Sequence, residues 1–214
     1  MAHLELVRVA PEEPTRPRPD HQIVARLIER GSTVLDVGCG DGALLRLLAR
    51  DCEARARGLE RDKTRARACV GRGLAVVQGD AECDLAAFPS GSFNYVVLSR
   101  SFQAFEHPRE VLRQAARIGD HVIVSIANFA HWRARMDFLR SGRIPRPQVQ
   151  TPGWADSEIL RPCSIRDFAE LARDMRFTIE SAVPLSGGRA GAPFAQKLWR
   201  PNWFAEEAVF LLAP

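Results

Sequence analysis

The sequence predicts an α/β fold built on a doubly wound, mostly parallel sheet of seven strands. As far as Ile126, short apolar segments rich in β-branched residues alternate with segments of helical periodicity. This alternation is typical of parallel strands joined by crossover helices. Two further strands are predicted at 177–183 and 204–212, with no helix between them. Strands connected in this direct way run antiparallel, so we expect the last strand to oppose the others.

The composition indicates an ordinary globular protein. The chain has 214 residues, of which 46% are hydrophobic and 26% charged, and this length suits one α/β domain with a sizeable core. We expect that domain to cover residues 20–214. Residues 1–19 are rich in proline and charge and are predicted to form a flexible lead-in. Prolines in the region after the fifth strand predict an irregular excursion at about 129–162.

The chain lacks the sequence signals of secretion and membrane insertion. No apolar run approaches the length of a membrane span, and the N-terminus has no signal-peptide core. The five cysteines form no C-x-x-C pair, so we expect reduced thiols, not disulfides or a zinc site. The net charge is +4, but the arginines are scattered among acids and alanines, which favours solvated helix faces over a nucleic-acid surface. These features predict a cytoplasmic protein without a metal site.

The strands are predicted from apolar runs that end in polar or turn-forming residues. The first begins at Ser32 or Thr33 and ends at a glycine-rich loop. The next four are expected at 54–60, 74–78, 93–99 and 121–126.

The helices are predicted from capping residues and apolar periodicity. Asp20 is the expected N-cap of the first helix, which Gly31 ends. Pro108 opens the helix before the fifth strand, and Ser164 caps a helix that contains Phe168. The other helices are expected after Gly42, over about 62–71, and in the basic segment that Trp132 opens.

The loop after the first strand has two interpretations. Gly38, Gly40 and Ala43 satisfy the loose dinucleotide fingerprint G-x-G-x-x-G/A. Asp36, Gly38, Gly40 and Gly42 instead match the S-adenosylmethionine loop of class I methyltransferases. Asp36 favours the second interpretation, because a carboxylate there would repel a pyrophosphate but would stabilise an ammonium group.

Two further acids follow the next two strands. Glu60 lies about twenty residues beyond Gly40, the separation at which an acid reaches a ribose diol in nucleotide-binding α/β folds. Asp80 ends the third strand and is a candidate to accept the adenine amino group. The alternatives are that Glu60 is a surface residue at a strand end and that Asp80 only forms a turn. Since the carboxyl ends of parallel strands share one crevice, we expect these acids to converge with Asp36.

Four other residues complete the predicted cofactor-binding set. Cys39 lies within the glycine loop, and Arg61 and Ala81 follow the two acids. Ser99 ends the fourth strand, where the methionine part of the cofactor is expected. The predicted cofactor is S-adenosylmethionine or S-adenosylhomocysteine.

The sequence resembles the MetW family of methionine biosynthesis proteins, which has a class I methyltransferase-like fold. An Asn-Phe-x-His-Trp segment, residues 128–132, is the part most particular to that family. The other matching segments are 34–45, 79–80, 93–103, 163–168 and 201–204. One departure lies at 154–162, where a histidine usual in the family is absent.

The resemblance implies a partnership with a homoserine O-acyltransferase, acetyl or succinyl, whose activity a MetW protein supports. It does not establish a methyl acceptor. Two functions therefore stay open: an S-adenosylmethionine-binding accessory protein of that acyltransferase, and a free-standing methyltransferase that acts on an unknown small molecule.

Residues 128–132 also supply the candidates for an acceptor site, namely Asn128, His131 and Trp132. A neutral imidazole at His131 suits an acceptor-site base, but a packed, hydrogen-bonded histidine at a helix start is the equal alternative. Trp132 is interpreted as a core or partner-contact residue. The basic segment that follows is a candidate partner contact, with a solvated basic face as the alternative; its arginines are Arg133, Arg135, Arg140 and Arg143.

Overall fold

A computed structural model of the chain describes residues 17–144 and 161–214. Most of the predicted lead-in, the centre of the predicted excursion and the segment with the departure from the family pattern lie outside these residues. The described residues form one sheet in the order β3-β2-β1-β4-β5-β8-β6-β7. The strands are β1 (Thr33–Val37), β2 (Arg55–Glu60), β3 (Val76–Gln78), β4 (Phe93–Ser99), β5 (Gly119–Ala127), β6 (Thr178–Ser186), β7 (Arg189–Ala190) and β8 (Glu207–Ala213).

Helices cover both faces of the sheet. Two hydrophobic clusters form the core, one on each face, and the fully buried Leu44 and Phe168 belong to opposite clusters. The helices are α1 (Pro19–Leu27), α2 (Ala43–Asp51), α3 (Lys63–Gly71), α4 (Ala81–Asp84), α5 (Pro108–Ile118), α6 (Trp132–Ser141), α7 (Ile165–Asp174) and α8 (Trp199–Phe204). None of the helices within 17–144 and 161–214 is long and apolar enough to cross a membrane.

The strand directions agree with the sequence prediction. Strand β1 pairs in parallel with β2 and β4, β2 with β3, and β4 with β5. Strand β8 runs antiparallel to both β5 and β6. The doubly wound, mostly parallel sheet with an antiparallel last strand is therefore confirmed.

The described sheet has eight strands, one more than predicted. The additional strand is β7, which pairs with the end of β6 through only two residues on each side. Gly187 and Gly188 join them, with φ values of +55° and +72°. Two successive residues with positive φ form the tight turn that matches the twist of a hairpin, and glycine adopts it without strain.

The connection before the last strand also differs from the prediction. Residues 199–204 form the short helix α8, and the strand begins only at Glu207. The aromatic residues of this segment favour strands in general, which explains the error. Pro201 lies in the first turn of α8, where its missing N–H removes no intrahelical hydrogen bond.

Asp20 is not the N-cap that the sequence predicts. Arg18 occupies that position, and Asp20 lies in the first turn of α1 with its side chain fully buried. Arg18 Nε donates to Asp20 Oδ1 at 3.0 Å. The hydroxyls of Ser99 and Ser125 donate to Asp20 Oδ2 at 2.8 and 3.0 Å. Asp20 therefore ties the start of α1 to β4 and β5.

We predict that Asp20→Asn lowers the free energy of unfolding at pH 7 by about 2–3 kcal/mol, because the variant loses charge-assisted hydrogen bonds. Burial alone would raise the pKa of Asp20, but the hydrogen bond and the charge of Arg18 outweigh it and hold that pKa well below its ordinary value. Stability from Asp20 is therefore present above the ordinary pKa of aspartate, about 4, and is lost as the pH falls below it.

Urea denaturation across pH 3–7 measures this effect. Asp51→Asn is the matched control, since Asp51 is exposed and pairs only with its neighbour Arg50. Equal stability of the Asp20→Asn variant and the wild type at pH 7 would contradict the role assigned to Asp20.

Candidate functional site

A cleft of about 730 Å³ opens at the carboxyl ends of the central parallel strands. Its walls come from the glycine loop after β1, the ends of β2, β3 and β4, and Arg18 before α1. Of the residues predicted to bind a cofactor, the lining includes Gly38, Gly40, Glu60, Arg61, Asp80, Ala81 and Ser99. The carboxyl ends of neighbouring parallel strands therefore bring seven of the nine predicted residues together.

The glycine loop needs glycine for two different reasons. Gly38 has φ +78°, and a Cβ there would lie 2.7 Å from Ser101 Cβ. Gly40 has φ +56°, and a Cβ there would meet no atom within 4 Å. The missing side chain of Gly38 thus permits close packing against Ser101, just beyond β4. The missing side chain of Gly40 leaves open space above the loop, where a ligand can approach the backbone.

Glu60 holds this loop in place. Its Oε2 accepts the Gly40 N–H at 2.8 Å, and its Oε1 accepts the Asp62 N–H at 2.9 Å. The side chain is buried but borders the cleft. Each carboxylate oxygen has a second acceptor site, so Glu60 can still accept hydroxyl donors from a ligand.

Asp80 caps the short helix α4. Its Oδ1 accepts the Glu82 N–H at 2.9 Å, and its own N–H donates to Asp84 Oδ2 at 2.7 Å. The turn is tight, because a Cβ on Gly79 would lie 2.6 Å from that same Asp84 oxygen. Asp80 therefore both forms the turn and lies on the cleft wall.

Asp36 lies inside β1 and beneath the loop, not on the cleft wall. The residue is buried, and its Oδ1 has no hydrogen-bond partner. Burial raises the pKa of Asp36 to about 7, against the lowering effect of Arg18, and the carboxylates of Asp20 and Glu60 add to the increase. An unpartnered buried carboxyl next to the loop is suited to pair with a positively charged group of a ligand.

Arg18 and Arg100 are among the cleft residues that the sequence did not predict. Arg18 Nη2 donates to Ser99 Oγ at 2.7 Å, and Arg100 pairs with Glu207 at 2.5 and 3.1 Å. Both arginines line the cleft beside Ser99. Arg18 falls in the predicted lead-in, where nothing in the sequence indicates a cleft residue. Arg100 directly follows the fourth strand, and this position at the carboxyl end of a parallel strand could have indicated it.

Cys39 is the other predicted residue that does not line the cleft. A Cβ on Gly58 would lie 2.5 Å from Cys39 Sγ, which shows that the thiol packs against β2. Burial raises the pKa of this thiol far above its ordinary value. A neutral, packed thiol is chemically inert, so Cys39 contributes to the packing of the loop.

The structure does not bring Asn128, His131 and Trp132 to the cleft. Asn128 Nδ2 donates to the carbonyls of Asn202 and Ala205 at 3.0 and 2.7 Å. His131 Nδ1 accepts the Arg133 N–H at 3.3 Å as the N-cap of α6, and burial lowers the pKa of its imidazole. Trp132 is exposed. Their geometry gives an acceptor-site role no support, because the loop after β5 packs toward α8.

Comparison with known families gives a match over nearly the whole chain. Residues 18–212 match the family described as methionine biosynthesis protein MetW. The chain belongs to the MetW family. It is also 32% identical over 174 residues to the bifunctional methionine biosynthesis protein MetXA/MetW of Rhodopirellula baltica. That match covers 77% of this MetW chain but only 28% of the relative, so the chain spans less than a third of the relative's length.

Solved structures show the same fold at low sequence identity. A SAM-dependent methyltransferase from Thermotoga maritima is 16% identical, with a TM-score of 0.64 over 91% of this chain and 87% of that one. A SAM-dependent methyltransferase from Archaeoglobus fulgidus is 15% identical, with a TM-score of 0.60 over 91% of this chain and 94% of that one. These similarities establish a class I methyltransferase-like fold for the MetW chain.

The raised pKa of the buried Asp36 predicts how the free energy of unfolding depends on pH. Its pKa rises from 3.8 to about 7 on folding, so the native state holds the proton more tightly than the unfolded state. Stability should therefore fall as the pH rises from about 4 to about 7, by at most about 1.4 kcal/mol per pH unit. Asp36→Asn lacks this titration. The variant should gain stability relative to the wild type across this range, and the difference should stay constant above pH 7.

Chemical denaturation of the ligand-free protein at pH 5 and pH 8 measures this difference. Asp137→Asn, at an exposed position on α6, is the control for removing one carboxylate. A difference between Asp36→Asn and the wild type that is the same at both pH values would refute the raised pKa.

Proposed function

We propose that this MetW protein binds S-adenosylmethionine or S-adenosylhomocysteine in the cleft and supports a homoserine O-acyltransferase in methionine biosynthesis. The observation that carries the partnership is the relative whose name joins MetXA to MetW in one polypeptide. The chain matches only part of that polypeptide. Fusion in one organism favours physical association in another.

The cleft suits the adenosine part of such a cofactor. Glu60 retains acceptor sites for the two ribose hydroxyls while its bonds to the loop amides hold it in place. Asp80 and Ala81 border the neighbouring part of the cleft, where an adenine amino group needs an acceptor. Both positions use parts of the chain that the backbone hydrogen bonds already fix, so little ordering is required on binding.

The other end of the cleft suits the methionine part. Beneath the loop that borders this end, Asp36 Oδ1 has no hydrogen-bond partner, and a cofactor ammonium group close to it would favour the charged carboxylate. Arg18 offers guanidinium N–H donors for a carboxylate, and Asp20 and Ser99 hold that guanidinium in position. A dinucleotide would instead place a pyrophosphate near Asp36 and Glu60, which repel it.

When bound, S-adenosylmethionine supplies a methyl group already activated on a sulfonium. The protein then has only to align an acceptor. A general base is therefore not required, and its presence or absence does not distinguish the two functions. The free-standing methyltransferase is the second candidate, because the similar solved structures include SAM-dependent methyltransferases. The acyltransferase assay below separates the two candidates.

We predict that isothermal titration finds binding of S-adenosylmethionine and S-adenosylhomocysteine and much weaker binding of NAD. Glu60→Ala should lower the affinity for S-adenosylmethionine by about 1–3 kcal/mol, about fivefold to 150-fold, because ribose hydroxyls would lose their acceptor and the loop its anchor. Glu53→Ala is the matched control, since Glu53 is exposed and lies outside the cleft lining. Tighter binding of NAD than of S-adenosylmethionine would overturn the cofactor assignment.

We predict that the protein co-purifies with the homoserine O-acyltransferase of the same organism when the two are co-expressed. The acyltransferase should be more active or more soluble with its partner than alone, as the accessory function requires. Acyl transfer from acyl-coenzyme A to homoserine is measured with and without the MetW protein. The absence of both co-purification and any change in rate would discard the accessory function and leave the free-standing methyltransferase.

A further inference from the structure

The most exposed apolar surface of the described residues lies on helices α6 and α8 and at Ile144, three residues beyond α6. Nine large hydrophobic side chains in 17–144 and 161–214 are exposed, and only Val70 and Val77 lie elsewhere. We name the remaining seven the α6–α8 face. They are Trp132, Phe138, Leu139, Ile144, Trp199, Trp203 and Phe204.

The two helices form one continuous surface. The Arg135 guanidinium of α6 stacks over the Trp203 ring of α8, 4.4 Å from its centroid. Asn128, just before α6, donates to the carbonyl of Asn202 within α8. The Arg133 guanidinium lies 4.0 Å from the carboxylate of Glu206 at the end of α8. These contacts cross from α6 and the loop before it to α8 and the loop after it, so the two helices lie next to each other on the surface.

Packing among the residues that the structure describes leaves α6 without a buried side chain. The helix has ten residues, and none of its side chains is buried. Helices of this length are only marginally stable in water and in proteins depend on burying an apolar side. Yet Leu139 is 76% exposed and Phe138 is 53% exposed. A concentrated exposed patch of this kind marks an interaction surface.

The residue types indicate a protein partner of acidic character. Tryptophan and arginine are the side chains most enriched at the energetic centres of protein interfaces. Each tryptophan of the face has an arginine within 4.4–5.7 Å of its ring. The basic side chains on the two helices are Arg133, Arg135, Arg140 and Arg200, against one acid within α6, Asp137. Carboxylates around an apolar centre would complement this charge.

A second copy of the chain fits the face less well. A symmetric dimer places the same surface against itself, so the arginines of each copy would meet arginines of the other. Like charges brought together in an interface are unfavourable. The occupant that suits the charge is therefore a different protein.

The face is separate from the cleft. None of its seven residues belongs to the cleft lining. A protein bound there would leave the cleft accessible to a small ligand.

We propose that the α6–α8 face is the surface on which the homoserine O-acyltransferase docks, through an apolar centre ringed by carboxylates of that enzyme. This assignment rests on the partnership proposed above and adds its location. The cleft and the docking surface are then two separate sites of the MetW protein.

Leu139→Asp and Trp199→Ala test the location. Each should weaken binding of the acyltransferase of the same organism at least tenfold in biolayer interferometry, and raised salt should weaken binding by the wild type. Val70→Asp is the matched control, because Val70 is 56% exposed on α3 and lies off the face. The melting temperature and the affinity for S-adenosylmethionine should stay unchanged in all three variants, since no substituted residue lines the cleft.

The outcomes separate this proposal from the proposed function. Absence of binding by the wild type rejects the partnership and, with it, the docking site. Binding by the wild type and equally by both face variants rejects only the location. Light scattering that shows a wild-type dimer and monomeric variants assigns the face to a second copy. A large loss of melting temperature in both variants shows that the chain itself covers the face. Loss of sedimentation with phosphatidylserine vesicles in both variants assigns it to a membrane.

Discussion

The parallel pairing of β1 with β2 and β4 is the constraint on which the rest of the structure depends. It places Asp36 beside Gly58 and Val97 and aligns the carboxyl ends of the three strands. The glycine loop, Glu60 and Ser99 reach one cleft for this reason alone. The buried polar groups at that end of the sheet, in the backbone and in the side chains, therefore need hydrogen-bond or charge partners within the same small region.

Three buried carboxyl groups near this end are accommodated in different ways. Asp20 is paired with Arg18 and two hydroxyls, and its pKa is lowered. Glu60 accepts two backbone N–H groups of the loops. Asp36 has neither arrangement at its Oδ1, and burial raises its pKa to about 7. The acids that build the fold are thus satisfied within it, while Asp36 Oδ1 beneath the glycine loop has no partner among the described residues.

The segment most particular to the MetW family does not belong to the cleft. Asn128 and His131 bond to backbone groups and fix the start of α6 against α8. That arrangement displays the aromatic side chains of both helices on the surface. The position of these residues separates the cleft, at the strand ends, from the surface proposed for protein binding.

The sequence alone determined the fold class, the parallel direction of the strands up to β5, the antiparallel last strand and most of the cleft. These features follow from local periodicity, from Ser164, the predicted N-cap of α7, and from the rule that parallel strand ends converge. Tertiary structure decided what depends on contacts between distant segments. Arg18 reaches the cleft only because Asp20 binds β4 and β5, residues 199–204 form a helix despite their strand propensity, and Asn128 turns toward α8. Local patterns cannot predict these arrangements, because in each case the partner that fixes a residue lies about 70 to 105 positions away in the chain.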